Sequence, residues 1–364
     1  MKSFSFLSLY EKLENLVQRL PEPLQQPILK EITPIKTLFL LQRAPRMVLL
    51  GQSGSGKVEI VNALFGSEAV QPGEENLSDG SWQTIASGGG GSLRLLDARR
   101  PVSLNMLKAA LTAEAPDLFM FIGSDGHPPE AFAADLDHAG QILSFTESRH
   151  TSRARMLGIL VAGAPDEVER ARQDLHAKLH ARTILSDRMA GTLALSVDGE
   201  IDRLAQLVAI ELPGEAHLEM ARLSGNRALQ KQIAQIVIKS ATAISAAVGA
   251  QPIPLADFPI LTSIQAGMVA SIMHISGREM SPRLAGEFIA AVGANVGAGL
   301  VLREGARAAI KLLPFWGNAI SGAVAATGSY AVGRSAVGYF IEGLSMKDAQ
   351  RLLHRKPKEP LLLK

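Results

Sequence analysis

A glycine-rich segment with the sequence GQSGSGK, at residues 51–57, most constrains what this chain can fold into. It fits the pattern G-x-x-x-x-G-K, with an apolar run before it at 47–50 and a helix-compatible run after it at 58–65. A strand, a glycine-rich turn and a helix in this order point backbone N–H groups and the positive end of the helix dipole at one anion. The sequence therefore predicts a phosphate-binding loop in an α/β domain.

The predicted phosphate contacts come from this loop and from the residue after it. They are Gly51, Gln52, Ser53, Gly54, Ser55, Gly56, Lys57 and Val58. Lys57 adds a mobile positive charge for the outer phosphates of a nucleotide. Val58 departs from the motif, which needs Ser or Thr at this position to give Mg²⁺ a hydroxyl ligand. We therefore expect Mg²⁺ to be weakly held, and nucleotide binding to survive better than hydrolysis.

A second signal is Asp97, which ends the apolar run at residues 93–96. Phosphate-loop proteins place at this point the aspartate that helps to hold Mg²⁺, so Asp97 is the candidate that orients the ion through a water. In GTPases the aspartate begins the pattern D-x-x-G, whereas here Arg100 stands at the glycine position. The alternative is that Asp97 is only a turn residue at the end of a strand.

Two further residues are candidates for contacts with a nucleotide base. Asp166 follows the apolar run at 156–162, where the pattern N/T-K-x-D would place its guanine-binding aspartate, but Gly163 and Ala164 replace the Asn and Lys. Asp166 is equally suited to cap the helix that follows. Ser196 stands where the serine of S-A-K would contact the base edge. The sequence thus predicts a guanine site with reduced selectivity.

Alternating strand and helix patterns from residue 46 to 210 predict a mostly parallel sheet with helices on both faces. Four glycines at 88–91 are too few for a crossover helix, so the strands on either side form an antiparallel hairpin at the sheet edge. After residue 213 the chain becomes rich in Ala, Gly, Ser, Ile and Val, which predicts an all-α domain. The predicted organisation is a helical extension at 1–45, a P-loop domain at 46–212, a helical domain at 213–345 and a basic tail at 346–364.

Composition limits the partners. A formal net charge of +2 and an aromatic content of 5% argue against nucleic acid as a main partner. The chain has no cysteine, which excludes disulfides, thiolate chemistry and cysteine-based zinc sites, and fits a reducing cytoplasm. His176 and His180 have a spacing that suits a metal, but no third ligand stands near them, so we expect them to be surface residues.

The helical domain raises the question of a membrane. Its apolar runs at 258–277, 288–302 and 312–333 include one that is shorter than the ~20 residues a bilayer needs and one that contains Pro314. Gly293 and Gly297 are spaced for close helix packing in lipid or in water alike. The basic tail either attracts anionic lipids or is a solvated end. The expected location is the cytoplasm, with attachment to the inner membrane left open.

In two segments the chain resembles bacterial Era-like GTPases of the TRAFAC class that carry a Gly/Ala-rich helical domain also found in inner-membrane proteins. The first segment is 46–66, around the phosphate loop, and the second is 252–257 with 261–265. The resemblance implies a switch that binds GTP and GDP, with a helical module that binds a membrane or a protein partner. We expect loops at 73–80 and 97–101 to change order with the γ-phosphate.

The departures from the GTPase motifs predict slow hydrolysis unless a partner supplies the missing groups. The alternative hypothesis is a pseudo-GTPase scaffold in which a bound nucleotide merely stabilises the fold. A third hypothesis, a membrane-remodelling GTPase of the dynamin type, requires turnover that assembly on membranes stimulates.

Overall fold

The structure, a computed structural model, describes residues 11–354 apart from 12–13, 16, 19–21, 55, 66–79, 87–90, 125, 152, 162–166, 196–199, 251–256 and 294–316. The chain divides into two compact units. One unit is Gln42–Asn226, and the other combines Met1–Leu41 with Arg227–Lys364.

Six strands form the sheet of the Gln42–Asn226 unit. They are β1 (Arg46–Gly51), β2 (Gln83–Ala86), β3 (Ser92–Asp97), β4 (Leu118–Gly123), β5 (Arg155–Leu160) and β6 (Met189–Ala194). Their order is β2-β3-β1-β4-β5-β6, and every neighbouring pair is parallel except β2 and β3. The predicted mostly parallel sheet with one antiparallel edge strand is confirmed.

The central strands are apolar along their whole length because both faces of the sheet are covered. Every residue of β4 is buried, and in β1 only Arg46 is not. Such continuous apolar runs are typical of parallel strands between two helical layers. The order of the strands reverses at β1, since the chain passes to β3 on one side and to β4 on the other. In open α/β sheets, ligands bind beyond the carboxyl ends of the strands at such a reversal point.

Seven helices are described in this unit. They are α2 (Lys57–Phe65), α3 (Leu104–Ala113), α4 (Pro129–Arg149), α5 (Val168–His180), α6 (Thr183–Ser186), α7 (Glu200–Glu211) and α8 (Gly214–Ser224). The alternating pattern did not predict the short helix α6, which ends shortly before β6 begins at Met189. Pairing with β5 sets this start, because Met189 lies opposite Met156.

Helix α8 belongs with the sheet, although it follows the change in composition at residue 213. It packs on β3, α2 and α7. A Cβ on Gly91 would lie 2.6 Å from the backbone N of Leu223, so the end of α8 is in close contact with the start of β3. Glu219 of α8 also accepts a hydrogen bond of 3.0 Å from the backbone N–H of Ser92. The compact unit therefore continues to Asn226.

A buried carboxylate links the segment before β1 to the start of β4. Asp117, directly before β4, accepts hydrogen bonds of 2.6 and 2.8 Å from the Arg43 guanidinium. It also accepts one of 2.9 Å from the backbone N–H of Arg46 at the start of β1. This carboxylate raises the pKa of Arg43, because it stabilises the charged guanidinium.

The second unit is helical, as predicted. Its described helices are α1 (Glu22–Leu40), α9 (Arg227–Gly249), α10 (Asp257–Ile275), α11 (Pro282–Gly293), α12 (Gly317–Phe340) and α13 (Met346–His354). Helix α9 packs against α1, α10 and α12. Inside this bundle the Ser329 hydroxyl donates to the Ser245 hydroxyl at 2.8 Å and accepts from the Gln265 amide at 3.2 Å. Three helices, α9, α10 and α12, thus share a satisfied polar contact in a largely apolar interior.

Among the described residues, one helix, α9, is long and apolar enough to cross a membrane. Most of its apolar stretch is buried in the structure, and core helices of bundles have the same character. The predicted run at 258–277 largely coincides with α10, whereas parts of the runs at 288–302 and 312–333, including Gly297 and Pro314, lie outside the described residues.

The contact between α12 and α9 can be tested at a glycine. A Cβ on Gly322 would lie 2.8 Å from the backbone O of Ala246 in α9, so we expect Gly322→Ala to lower the free energy of unfolding by about 1–3 kcal/mol through overpacking. Gly328 is the matched control, because it is exposed in the same helix with nothing within 4 Å of the added Cβ. Gly328→Ala should raise the free energy of unfolding by about 0.5–1 kcal/mol through helix propensity. Urea denaturation of both variants measures the difference, and equal effects would contradict the packing.

Candidate phosphate-binding site

The loop between β1 and α2 has the conformation that its glycines permit. Gly51, Gly54 and Gly56 have φ values of +91°, +80° and +82°, which L side chains rarely adopt. A Cβ on Gly51 would lie 2.2 Å from the backbone O of Ile122 in β4. The same oxygen accepts a hydrogen bond of 2.9 Å from the Gln52 N–H. The start of the loop is therefore fixed against the central strand.

Lys57 is the first residue of α2 and is 2% exposed. Its ammonium donates a hydrogen bond of 3.3 Å to the Gln83 side-chain oxygen on the edge strand β2. Val58 follows it, half-buried, and its side chain offers no oxygen. The loop thus unites the N-terminus of a helix, backbone amides and one buried cation, which together fit a phosphate group.

Asp97 is the last residue of β3, which pairs with β1. Both of its carboxylate oxygens are engaged by Arg99, whose Nε donates to Oδ1 at 2.8 Å and whose Nη2 donates to Oδ2 at 2.7 Å. The Nη1 of the same guanidinium donates to the backbone O of Gln52 at 3.1 Å. Asp97 and Arg99 are 4% and 3% exposed, so this is a buried ion pair in direct contact with the loop.

These residues fit a phosphate, but they do not fit a Mg²⁺ centre of the usual kind. That centre needs a hydroxyl at position 58 and an aspartate whose charge faces the ion, whereas here a valine takes the first place and a guanidinium neutralises the second. A divalent cation beside Asp97 would also be repelled by Arg99 at close range. The assignment of Asp97 to Mg²⁺ stays a sequence prediction.

Three of the predicted contacts, Ser55, Asp166 and Ser196, lie outside the described residues. Their roles stay predictions. The neighbouring strand ends are described, and the backbone N–H of Val161, directly after β5, donates to the O of Gly123 at the end of β4 at 2.9 Å. Strand β5 therefore ends beside the carboxyl end of β4.

A cavity of about 350 Å³ adjoins the loop, and sequence reasoning did not find it. Its lining residues are Gln52, Ser53, Arg100, Pro101, His127, Pro128, Ala131 and Asp135. His127 Nε2 lies 3.0 Å from Asp135 Oδ2, and Arg100 Nη1 lies 3.4 Å from Asp135 Oδ1. The residues come from the phosphate loop, the turn after β3, the turn before α4 and α4 itself, so no single sequence motif contains them.

Burial shifts the titration of this pair. It lowers the pKa of His127 below its ordinary value of 6.5, although the Asp135 carboxylate acts in the opposite direction. Burial likewise raises the pKa of Asp135, against the opposing effect of the His127 and Arg100 charges. Desolvation thus outweighs the attraction between the two groups.

His176 and His180 lie on one exposed face of α5, with ring centroids 4.3 Å apart. His176 contacts the Thr192 hydroxyl at 2.9 Å, and His180 contacts the Ser186 hydroxyl at 2.8 Å. In the part of the chain that the structure describes, no three His, Cys, Asp or Glu residues group in a way that could hold a metal.

A known protein family matches the C-terminal part of the chain. Residues 215–356 match the family model described as "Domain of unknown function (DUF697)". No curated protein matches the chain.

Solved structures match this chain with low TM-scores and low sequence identity. One is Era in complex with MgGDPNP and a segment of 16S ribosomal RNA, with 13% identity, a TM-score of 0.32, and coverage of 56% of this chain and 68% of that one. A mutation variant of SsGBP has 12% identity, a TM-score of 0.28, and coverage of 54% and 67%. A bacterial dynamin pair, described as sensing and tethering membranes, has 9% identity, a TM-score of 0.33, and coverage of 95% and 71%. With overlaps this low, the strand order and the glycine loop define the P-loop fold.

The His127–Asp135 pair yields a titration test. The pKa of His127, followed by NMR of its ring protons, should lie below 6.5, and Asp135→Asn should lower it further because the carboxylate favours the imidazolium. Between the lowered value and 6.5 only the unfolded chain holds the proton, so His127 makes the free energy of unfolding rise with pH there. Asp137→Asn is the control, since Asp137 is exposed on the same helix and pairs with Arg182. A pKa above 6.5 would contradict the dominance of burial.

Proposed function

We propose that this chain binds a purine nucleoside triphosphate, with GTP as the first candidate, and uses it as a switch. The observation that carries the proposal is the loop from Gly51 to Lys57, with three left-handed glycines between a buried central strand and a helix N-terminus. Its position at the reversal of strand order is where α/β sheets bind ligands. The backbone amides would hold the phosphates, and Lys57 would neutralise their charge.

Base recognition and hydrolysis follow from the residues around the loop. Asp166 and Ser196 are the proposed base contacts, and the loss of the neighbouring Asn and Lys predicts weaker guanine selectivity. Hydrolysis is expected to be slow, because Val58 supplies no metal ligand and Arg100 replaces the glycine that senses the γ-phosphate. A partner protein would have to supply what is missing.

The helical unit is proposed to respond to the nucleotide that the P-loop domain binds. We propose that it binds a membrane or a protein partner when the nucleotide changes, on the cytoplasmic side of the inner membrane. The apolar helix α9 and the basic tail support this proposal.

The buried Asp97–Arg99 pair favours a second candidate function, a pseudo-GTPase scaffold with little or no turnover. The two functions differ in hydrolysis. A slow GTPase should gain turnover when Val58→Thr restores a metal ligand, whereas a scaffold should gain little because its other catalytic groups are also absent. Phosphate release at saturating GTP separates them.

Calorimetric titration with GTP, GDP and an ATP analogue tests nucleotide binding directly. We expect saturable binding with preference for guanine, and we expect Lys57→Met to weaken it, because the variant removes the buried cation while keeping most of the side-chain volume. A charge-assisted contact of about 1.5–3 kcal/mol corresponds to a loss of affinity of roughly 10- to 100-fold. Lys108→Met is the control, since Lys108 is exposed on α3. Absence of binding to every nucleotide would overturn the proposal.

Sedimentation with vesicles tests whether the helical unit binds membranes. If the helical unit binds membranes through its basic tail, the full chain should pellet with vesicles that contain anionic lipid and not with neutral ones. Added salt should release it, because exposed charges are screened within about 10 Å at 0.1 M ionic strength. A chain that stays in solution with both vesicles would leave a protein as the partner.

A further inference from the structure

The strongest feature that the proposed function does not use is the guanidinium of Arg99. It bridges the Asp97 carboxylate at the end of β3 and the carbonyl of Gln52 inside the phosphate loop. Its side chain is 2% exposed, so its charge is held within the protein rather than in solvent. A cation is thereby fixed against the loop that is proposed to bind the phosphates.

Asp97 explains how this cation can be buried. Removing a guanidinium from water is costly unless a carboxylate with good geometry compensates for it. The pair is bidentate, with hydrogen bonds of 2.8 and 2.7 Å, which is the strongest arrangement available to these groups. The aspartate at the end of β3 thus holds an arginine.

Both groups that the motif provides for Mg²⁺ differ in this chain. Position 58 has no hydroxyl, and the carboxylate of Asp97 is paired with a positive charge. Either change alone would weaken a metal centre, but the second also provides a replacement cation at the same place. An arginine cannot lose its charge at physiological pH, and its N–H fork suits phosphate oxygens.

We propose that Arg99 takes the place of Mg²⁺ in this protein, so that nucleotide phosphates bind without a divalent ion. The proposal rests on the proposed nucleotide binding. Arg99 and Lys57 then supply the positive charge of the site, and Asp97 is a positioning residue for Arg99.

The test compares nucleotide affinity with and without the metal, which needs no variant. The full chain is titrated with a fluorescent GDP analogue and with GTP, either in excess Mg²⁺ or in EDTA. We expect the two dissociation constants to agree within about threefold, well below the tenfold change that one charge-assisted contact would produce. A dissociation constant at least about tenfold weaker in EDTA would overturn the proposal.

Two variants test whether Arg99 is the cation that makes nucleotide binding independent of Mg²⁺. Arg99→Ala should weaken binding in EDTA by about tenfold or more, and Mg²⁺ should restore part of it, because the variant frees the Asp97 carboxylate. Since Arg99→Ala also leaves a buried charge unpaired, Asp97→Asn combined with Arg99→Met provides a second variant with neither charge. The double variant should bind weakly with and without Mg²⁺, and thermal unfolding checks that both variants are folded. If it binds as tightly as the unmodified chain in EDTA, Arg99 is not the cation.

Arg94→Ala is the matched control. Arg94 lies on β3, the strand that ends at Asp97, and it pairs with Glu114 away from the loop. The loss of Arg94 should therefore leave both the nucleotide affinity and the metal dependence of binding unchanged. The result also separates the two proposals. Binding that requires Mg²⁺ overturns the role of Arg99 and keeps the proposed function, whereas absence of binding in both conditions overturns both.

Discussion

The contact between the backbone of Gly51 and that of Ile122 is the constraint on which the site depends. No side chain fits between them, since a Cβ would approach the Ile122 carbonyl to 2.2 Å, and the Gln52 N–H bonds to that same oxygen. This contact ends β1 against its neighbour and turns the chain so that α2 starts with its N-terminus at the edge of the sheet. Lys57 is consequently buried at the point where the helix dipole is positive. Losing the contact would therefore displace the cation and the backbone amides together.

Local patterns were sufficient to predict most of the sheet. The central strands are apolar on both faces, and the glycines between β2 and β3 left only a hairpin as a connection, so the directions of the strands followed from short segments. The start of β6 was not predictable in this way, because Met189 is included through its pairing with Met156 and not through its own pattern. Helix α8 shows the same limit. Its packing on β3 depends on Gly91 and Glu219, which are far apart in sequence.

In the candidate site, too, the residues of one local motif were predictable, whereas those that the fold brings together were not. The loop was predictable because one motif contains all of its residues and fixes their conformation. The cavity beside it was not, since His127 and Asp135 belong to the turn before α4 and to α4 itself, and Arg100 reaches them from the turn after β3. The Asp97–Arg99 pair lies within three consecutive residues, yet the motif directed attention to Asp97 as a metal group. Only the turn after β3 shows that the arginine folds back onto the carboxylate.

A cation built into the chain would change how a nucleotide is sensed. A metal ion is shared between phosphates and protein and can leave with them, whereas Arg99 is part of the segment that follows β3. That segment continues through a turn in which the Val102 N–H donates to the Arg99 carbonyl at 3.1 Å, and it then enters α3. If Arg99 binds the phosphates as proposed, a change in the γ-phosphate acts on this turn directly, and Asp97 sets the opposing attraction. The balance between two partners for one guanidinium is a two-state element of the kind that switches require. Slow hydrolysis is compatible with such a switch, because exchange of the nucleotide alone would reset it.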